Sequence, residues 1–158
     1  MLRPMTGRQD GKGRLLERED EVKDLLARTR TIAVLGIKTE AQADQPAFYV
    51  PEAAQRAGYA IVPVPVYYPE ATTILGEPVV RSVAAIGRPV DLVDVFRRPR
   101  DLAGHLEDLL AARPKAVWLQ SGIRDDDFAA RLVEAGIDVV QDRCLMVDIR
   151  RFGARPPA

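Results

Sequence analysis

Short apolar runs alternate with amphipathic segments along most of the chain. The runs are rich in β-branched residues and bounded by Gly, Pro or charged residues, which predicts buried strands. Five strands are expected, over residues 31–36, 60–64, 90–96, 115–119 and 137–140. Helical spacing and capping signals predict helices over 15–28, 46–57, 82–86, 99–112 and 125–135, then a closing segment over 143–151. Residues 65–80, with three prolines and a glycine, are expected to form an extended loop.

Strands that alternate with helices at this spacing predict a Rossmann-like, doubly wound α/β fold with a mainly parallel, five- to six-stranded sheet. Parallel neighbours require right-handed crossovers, and the helices then cover both faces of the sheet. The runs lack strict apolar–polar alternation, as expected for strands buried on both sides. We therefore expect a single domain over residues 15–152, preceded by a flexible lead-in over 1–14 and followed by a tail over 153–158.

Composition narrows the class of function. The chain has 158 residues, and its 23 Lys+Arg balance its 23 Asp+Glu, so a nucleic-acid partner is not expected. No apolar run approaches the roughly 20 residues of a membrane span, and the N-terminus lacks the apolar core of a signal peptide. A single cysteine, Cys144, and a single histidine, His105, leave no disulfide framework and no Cys- or His-based metal site. We expect a cytoplasmic protein with no membrane partner and no bound metal.

The loop after the first strand carries the first candidate site residues, Gly36, Ile37, Lys38 and Thr39. In an open α/β sheet, ligands bind beyond the carboxyl ends of the strands, where the strand order reverses. Gly36 permits close backbone approach, while Lys38 and the N-terminus of the next helix attract an anion. The alternative is that Gly36 only permits a tight turn. The pattern G-x-G-x-x-G is absent, which argues against NAD.

The loop after the second strand begins at Val64 and Pro65 and continues through Val66, Tyr67 and Tyr68. Its prolines and tyrosines form a stiff, partly apolar wall that suits a stacked base, although packing against the sheet explains it equally well. An NAD site needs an acid at this strand end to hold the ribose hydroxyls, and none occurs before residue 70.

The third loop follows Phe96 with Arg97 and Arg98, whose forked guanidinium donors suit phosphate. Adjacent side chains point in different directions on an extended chain, so the alternative for one arginine is an ion pair with Asp94 or Asp101.

The fourth loop contains Leu119, Gln120 and Ser121, which offer neutral donors and acceptors to a pantetheine amide or a ribose. The alternative is a plain helix cap formed by Ser121 or Asp125. His105 lies on a predicted surface helix, where a solvated side chain is expected and a catalytic base is not.

Five blocks, in order, carry a resemblance to a known family: AVLG at 33–36, GYAIVPV at 58–64, VDLVDVFRRP at 90–99, AVWLQSGI at 116–123 and AGIDVVQDRC at 135–144. They resemble the small CoA-binding domain proteins, free-standing relatives of the N-terminal domain of the succinyl-CoA synthetase α subunit. The resemblance covers about residues 20–152. It implies a Rossmann-type, nucleotide-binding fold that binds coenzyme A with its phosphates near the first loop, and it assigns the loops at 36–38, 96–98 and 119–121 to the ligand site.

The synthetase itself uses a phosphorylated histidine from a second domain, to which His105 has no equivalence. The resemblance thus implies a protein that binds coenzyme A or acyl-CoA without catalytic residues of its own. Two alternatives remain open. One is an NAD(P)-binding oxidoreductase-type domain, on the fold alone; the other is a ligand-free regulatory module that docks through the rim at Val66, Tyr67 and Tyr68. The sequence leaves open a homo-oligomer or a protein partner.

Overall fold

The computed structural model describes residues 11–158, so the first ten residues of the predicted lead-in lie outside it. Strands and helices alternate along the described chain. Their bounds are α1 Glu19–Ala27, β1 Thr31–Leu35, α2 Pro46–Arg56, β2 Ala60–Val64, β3 Thr73–Ile74, β4 Glu77–Pro78, β5 Leu92–Val95, α3 Leu106–Ala112, β6 Ala116–Leu119, α4 Asp126–Glu134, β7 Asp138–Val140 and α5 Leu145–Phe152.

The main sheet has five parallel strands in the order β2-β1-β5-β6-β7, which confirms the predicted Rossmann-like, doubly wound architecture. The chain first steps from β1 outward to β2, then returns across β1 to β5 and continues in the other direction. The order therefore reverses between β1 and β5, and the carboxyl ends of these two strands define the switch point.

Helices cover both faces of this sheet. Apolar residues of α1, α2 and α5 pack with one face, including Leu25, Phe48 and Ile149. Residues of α3 and α4, including Leu109 and Leu132, pack with the other. Burial on both sides explains why the strands show no alternation in sequence.

Both outer edges of the sheet are covered. At one edge, Leu16 donates to the carbonyl of Val139 at 2.8 Å and Val139 donates to Arg14 at 2.9 Å. Because the chain pairs with β7 here, α1 begins only at Glu19 and the prediction of a helix from residue 15 was wrong. At the other edge, Pro63 of β2 is buried, and its carbonyl accepts from the amide of Val80 at 2.9 Å. Proline fits an edge strand because it has no N–H to leave unpaired.

The loop predicted over 65–80 contains a small hairpin that sequence analysis missed, formed by β3 and β4. Its two turn residues, Leu75 and Gly76, have φ of 55° and 75°. This backbone favours Asn-Gly, so leucine gives no hairpin signal. Other elements hold the turn: the Leu75 amide donates to Glu40 at 2.8 Å, and Gln55 donates to the Leu75 carbonyl at 2.9 Å.

The helix predicted over 99–112 is divided in two. Residues Pro99–His105 form a 3-10 helix, and α3 follows directly. Gly104 lies at the end of the 3-10 helix, and glycine weakens a continuous α-helix. None of the helices in the described chain is both long and apolar enough to span a bilayer.

Candidate functional site

The first part of the candidate site is built by two prolines of α2. Pro46 occupies the first position of the helix, where its missing N–H costs nothing. Pro51 falls in the second turn and has no N–H to donate to the carbonyl of Ala47. That carbonyl instead accepts the backbone amide of Lys38 at 3.1 Å. The proline inside the helix thus provides the acceptor that fixes the first loop to the start of α2.

Lys38 and Thr39 are held further by glutamines of the following segment. The Lys38 ammonium donates to the side-chain oxygen of Gln45, which precedes α2. Thr39 donates to Gln42 Oε1 from its amide at 3.0 Å and from its hydroxyl at 2.8 Å. The Lys38 cation therefore lies at the N-terminus of α2, the positive end of the helix dipole.

Gly36 has a structural requirement of its own. Its φ is +88°, and a Cβ at this position would lie 2.4 Å from the carbonyl oxygen of Phe96. The Gly36 amide also donates to Val64 at 2.9 Å. The ends of β1 and β5 thus approach each other too closely for any side chain here, which explains the glycine without reference to a ligand.

Arg97 and Arg98 occupy different environments. The Arg98 side chain is 60% exposed and pairs with Asp101 at 2.8 Å, the alternative partner expected from sequence. The Arg97 side chain is only 14% exposed; its Nε donates to His105 Nε2 at 3.1 Å and its Nη2 lies 3.8 Å from Asp101. The Arg97 guanidinium also lies 5.6 Å from the centre of the Tyr67 ring, a cation–π contact.

These contacts shift the titration of the groups around Arg97. The hydrogen bond from Arg98 lowers the pKa of Asp101. Burial, and then the charge of Arg97, lower the pKa of His105. The imidazole is therefore neutral near pH 7, and its Nε2 can accept the hydrogen bond from Arg97 Nε. The expectation of a solvated surface histidine was therefore wrong: His105 is half-buried and accepts a hydrogen bond from Arg97.

A cleft of about 370 Å³ opens at the switch point, between the loop after β1, the start of α2 and the loop after β5. It is lined by Lys38, Gln45, Pro46, Ala47, Phe96, Arg97, Arg98, Pro99, Gly122 and Ile123. The sequence named four of these residues, namely Lys38, Phe96, Arg97 and Arg98. The sequence also placed the N-terminus of the helix after the first strand beside the anion, and Gln45, Pro46 and Ala47 line the cleft at the start of α2, although these three residues were not named individually.

The other predicted site residues lie outside the cleft lining. The side chains of Ile37, Val64, Pro65 and Leu119 are buried. Gly36, Thr39 and Ser121 are at least partly accessible beside the cleft. Helix α4 is capped by Asp125, which accepts from the amide of Phe128 at 3.1 Å, so the predicted alternative of a cap after the fourth loop is confirmed.

Gln120 is directed into the core, where its amide nitrogen donates to Asp94 at 2.7 Å. Asp94 is fully buried, and burial raises its pKa to about 8. Its second oxygen has no hydrogen-bond partner in the described chain. This pair lies on the face of the sheet that contains Trp118, because residues 94 and 118 are register partners on β5 and β6.

A larger groove of about 520 Å³ lies between α2 and α5, lined by Tyr49, Met146 and Ile149 among others. It lies along these helices and away from the strand ends, and it contains none of the predicted site residues. No cluster of three metal-ligating side chains occurs among the described residues.

The fold and the cleft together define a class: a doubly wound α/β domain with cations and a helix N-terminus at its switch point, the place where ligands bind in such folds. Within this class, the model of the CoA binding domain family matches residues 30–150, and the chain belongs to that family. The resemblance seen in the sequence blocks is thereby confirmed.

Individual proteins resemble this chain in sequence or in fold. The chain is 36% identical over 127 residues to the uncharacterized protein YneT of Bacillus subtilis, a match that covers 80% of this chain and 90% of YneT. A solved structure from Thermus thermophilus, cell-free ID.343, is 43% identical, with a TM-score of 0.78 over 86% of this chain and 99% of that one. The dinucleotide-forming acetyl-coenzyme A synthetase 1 of Ca. Korarchaeum cryptofilum shares the fold, with a TM-score of 0.62 and 17% identity over 73% of this chain and 26% of the synthetase.

Proposed function

We propose that this protein binds coenzyme A or an acyl-CoA in the switch-point cleft and contributes no catalytic group of its own. One observation carries the proposal: in a chain of the CoA binding domain family, Lys38, Arg97 and the N-terminus of α2 line one cleft between β1 and β5. Coenzyme A offers a diphosphate and a 3′-phosphate, which are the groups that such a cleft attracts.

The charge balance of the cleft supports an anionic ligand. Lys38, Arg97 and Arg98 contribute three positive charges, and Asp101 compensates one of them through its contacts with both arginines. A bound phosphate replaces Gln45 as the partner of Lys38 and competes with Asp101 for the arginines. Forked, charge-assisted hydrogen bonds to phosphate are stronger than the neutral contact they replace.

The same geometry supports binding without chemistry. His105, the one histidine of the chain, faces Arg97 and does not line the cleft. The cleft lining holds no nucleophile paired with a base, the arrangement on which covalent catalysis depends. After β2, Pro65 is buried and no acid occurs before Glu70, so nothing there holds the ribose hydroxyls of NAD.

Isothermal titration calorimetry with coenzyme A, dephospho-CoA and NAD tests the proposal. We expect saturable binding of coenzyme A, weaker binding of dephospho-CoA because one phosphate is missing, and no binding of NAD. Native mass spectrometry of the purified protein provides an independent readout, since a retained adduct would have the mass of the coenzyme. Absence of heat with coenzyme A at high protein concentration would contradict the proposal, and saturable binding of NAD alone would support an NAD(P)-type domain instead.

A further inference from the structure

Arg81 binds a turn of backbone near the switch point. Its guanidinium donates to the carbonyl oxygens of Tyr68, Pro69 and Ala71 at 3.0, 3.1 and 2.8 Å, and more weakly to that of Tyr67 at 3.4 Å. Four carbonyl groups of one short loop thus converge on one side chain. Three of these contacts come from Nη2 and the fourth comes from Nη1, so the fork of the guanidinium reaches the loop with two nitrogens. Lysine has a single nitrogen, which cannot occupy both positions.

The loop that Arg81 holds delivers Tyr67 to Arg97. The Tyr67 ring receives the Arg97 guanidinium at 5.6 Å, and its hydroxyl lies 3.5 Å from Arg97 Nη1. Tyr68 packs against the ring of Tyr67 edge-on, with centroids 6.4 Å apart, and has a φ of 65°. A tyrosine in this left-handed conformation needs outside support, and the bond from Arg81 to its carbonyl provides it.

Arg97 is therefore placed between two supports. Tyr67, in the loop after β2, contacts the Arg97 guanidinium with its ring. His105, at the end of the 3-10 helix, accepts a hydrogen bond from Arg97 Nε. The Arg97 side chain is only 14% exposed, and Arg97 is one of the residues that line the cleft. Neither support itself lines the cleft, so both determine where the guanidinium points without occupying the ligand's place.

We propose that Arg81 is a positioning residue for the anion site: by holding the loop at 67–71 it keeps Tyr67 against Arg97 and so fixes the direction in which Arg97 faces the cleft. The structural part stands on the contacts above; its consequence for a ligand rests on the proposed function. Arg81 is exposed and is not part of the cleft lining, so its own charge acts on a bound anion only through solvent and is screened by salt.

A test without ligand uses His105, whose imidazole signal in NMR is unambiguous because the chain has one histidine. Burial lowers the pKa of His105 most, the charge of Arg97 lowers it further, and Asp108 and Asp101 raise it. If Arg97 leaves its place, the pKa of His105 rises. We expect this rise in Arg81→Ala and in Tyr67→Ala, in the same direction as in Arg97→Ala. Arg88→Ala, which removes another exposed arginine from the neighbouring segment, should leave the titration unchanged.

A second test uses coenzyme A and a double-mutant cycle. We expect Arg81→Ala and Tyr67→Ala each to weaken binding by about threefold or more, and Arg81→Ala to add little in the Tyr67→Ala background, because both act through the same contact. The loss should persist in high salt as well as low, since it does not depend on the charge of Arg81 itself. Arg81→Lys keeps the charge and should show most of the loss; it also serves as the variant if Arg81→Ala fails to fold.

The outcomes separate the two proposals. An unchanged His105 titration in folded Arg81 variants, or independent effects of Arg81 and Tyr67, would overturn the positioning role. A shifted titration in a protein that does not bind coenzyme A would uphold the positioning role and reject the proposed function.

Discussion

Arg97 Nε donates to His105 Nε2 across 3.1 Å, so the cation that faces the cleft is supported by a titratable group. The bond exists only while His105 Nε2 carries no proton. Burial and the charge of Arg97 both lower the pKa of His105, which keeps the imidazole neutral at physiological pH. Protonation removes the acceptor and leaves two cations in contact.

The first prediction is that binding of coenzyme A weakens in acid. Because burial and the charge of Arg97 lower the pKa of His105 below its ordinary value, Arg97 keeps its support at pH 7 and loses it only as the pH falls through that lowered pKa. Stability follows the same sign, since the unfolded chain takes up this proton more readily than the folded one, and the free energy of unfolding decreases in the same range. Calorimetry and chemical unfolding at about pH 7.5 and at about pH 5 measure the two effects.

His105→Gln is the matched control for this pH dependence. Glutamine offers an acceptor oxygen to Arg97 but does not titrate in this range. The phosphates of coenzyme A lose charge in acid with either protein, so only the difference between wild type and variant reports on His105. An equal loss of affinity in both proteins would show that the ligand alone causes the pH dependence.

The second prediction concerns the unequal roles of the two arginines. We expect Arg97→Ala to reduce affinity for coenzyme A by about 1–3 kcal/mol, because a pre-positioned, charge-assisted hydrogen bond to phosphate is lost. Arg98 is mostly exposed and already paired with Asp101, so Arg98→Ala should cost less, at most about 1 kcal/mol. Titration calorimetry of both variants beside Arg88→Ala decides the order. A larger loss in Arg98→Ala would mean that phosphate binds at the outer arginine.

The third prediction follows from the proline inside α2. Pro51→Ala restores an N–H that competes with Lys38 for the carbonyl of Ala47. The helix should keep or gain stability, because alanine favours a helix interior, while affinity for coenzyme A falls as the first loop loses its attachment. Unfolding and binding are measured on the same samples. Pro89→Ala, at an exposed proline outside the site, is the control and should leave the affinity for coenzyme A unchanged. If Pro51→Ala also leaves this affinity unchanged, the bond from Lys38 to Ala47 does not contribute to binding.

Sequence patterns predicted the five main strands and their parallel arrangement because each strand is a short apolar run between turn signals. They failed where a tertiary contact replaces the local signal. The backbone of Leu15 pairs with β7 although its side chain fits the helical periodicity, and Leu75 enters a turn that leucine disfavours because Glu40 and Gln55 hold it.

The site shows the same division between local and long-range information. Lys38 and Arg97 could be predicted because they directly follow strands whose carboxyl ends meet at the switch point. The supports of Arg97 could not: Tyr67 and His105 come from separate segments, 30 and 8 residues away in sequence. Their contact with Arg97 depends on the packed tertiary structure.

The fourth prediction is that Gly36→Ala is strongly destabilising. The added Cβ would lie 2.4 Å from the carbonyl of Phe96, and the φ of +88° is strained for alanine. Gly76 is a matched control, with a φ of +75° and no atom within 4 Å of the added Cβ. We expect Gly76→Ala to lose about 1 kcal/mol from backbone strain and Gly36→Ala to lose about 2 kcal/mol more from the clash, as measured by chemical unfolding. Equal losses would show that β1 and β5 separate at little cost.

The fifth prediction concerns the buried carboxyl of Asp94. Burial raises its pKa to about 8, so the folded protein binds a proton here that the unfolded chain releases near pH 4. The stability that Asp94 contributes is therefore complete in acid and is lost as the pH rises toward 8. The substitution Asp94→Asn removes this titration, although the new amide oxygen can still accept from Gln120.

We compare the free energy of unfolding of Asp94→Asn with that of the wild type. As the pH rises from about 5 to about 8, we expect this difference to change by about 2 kcal/mol or more in favour of the variant. The gain arises because unfolding of the wild type releases the Asp94 proton over this range, so each rise in pH favours the unfolded chain, whereas the variant has no proton to release here. Gln120→Leu removes the donor to Asp94 and keeps the carboxyl, so it should retain the steep pH dependence of the wild type. Parallel pH profiles for the wild type and Asp94→Asn would show that Asp94 is ionised in the folded protein.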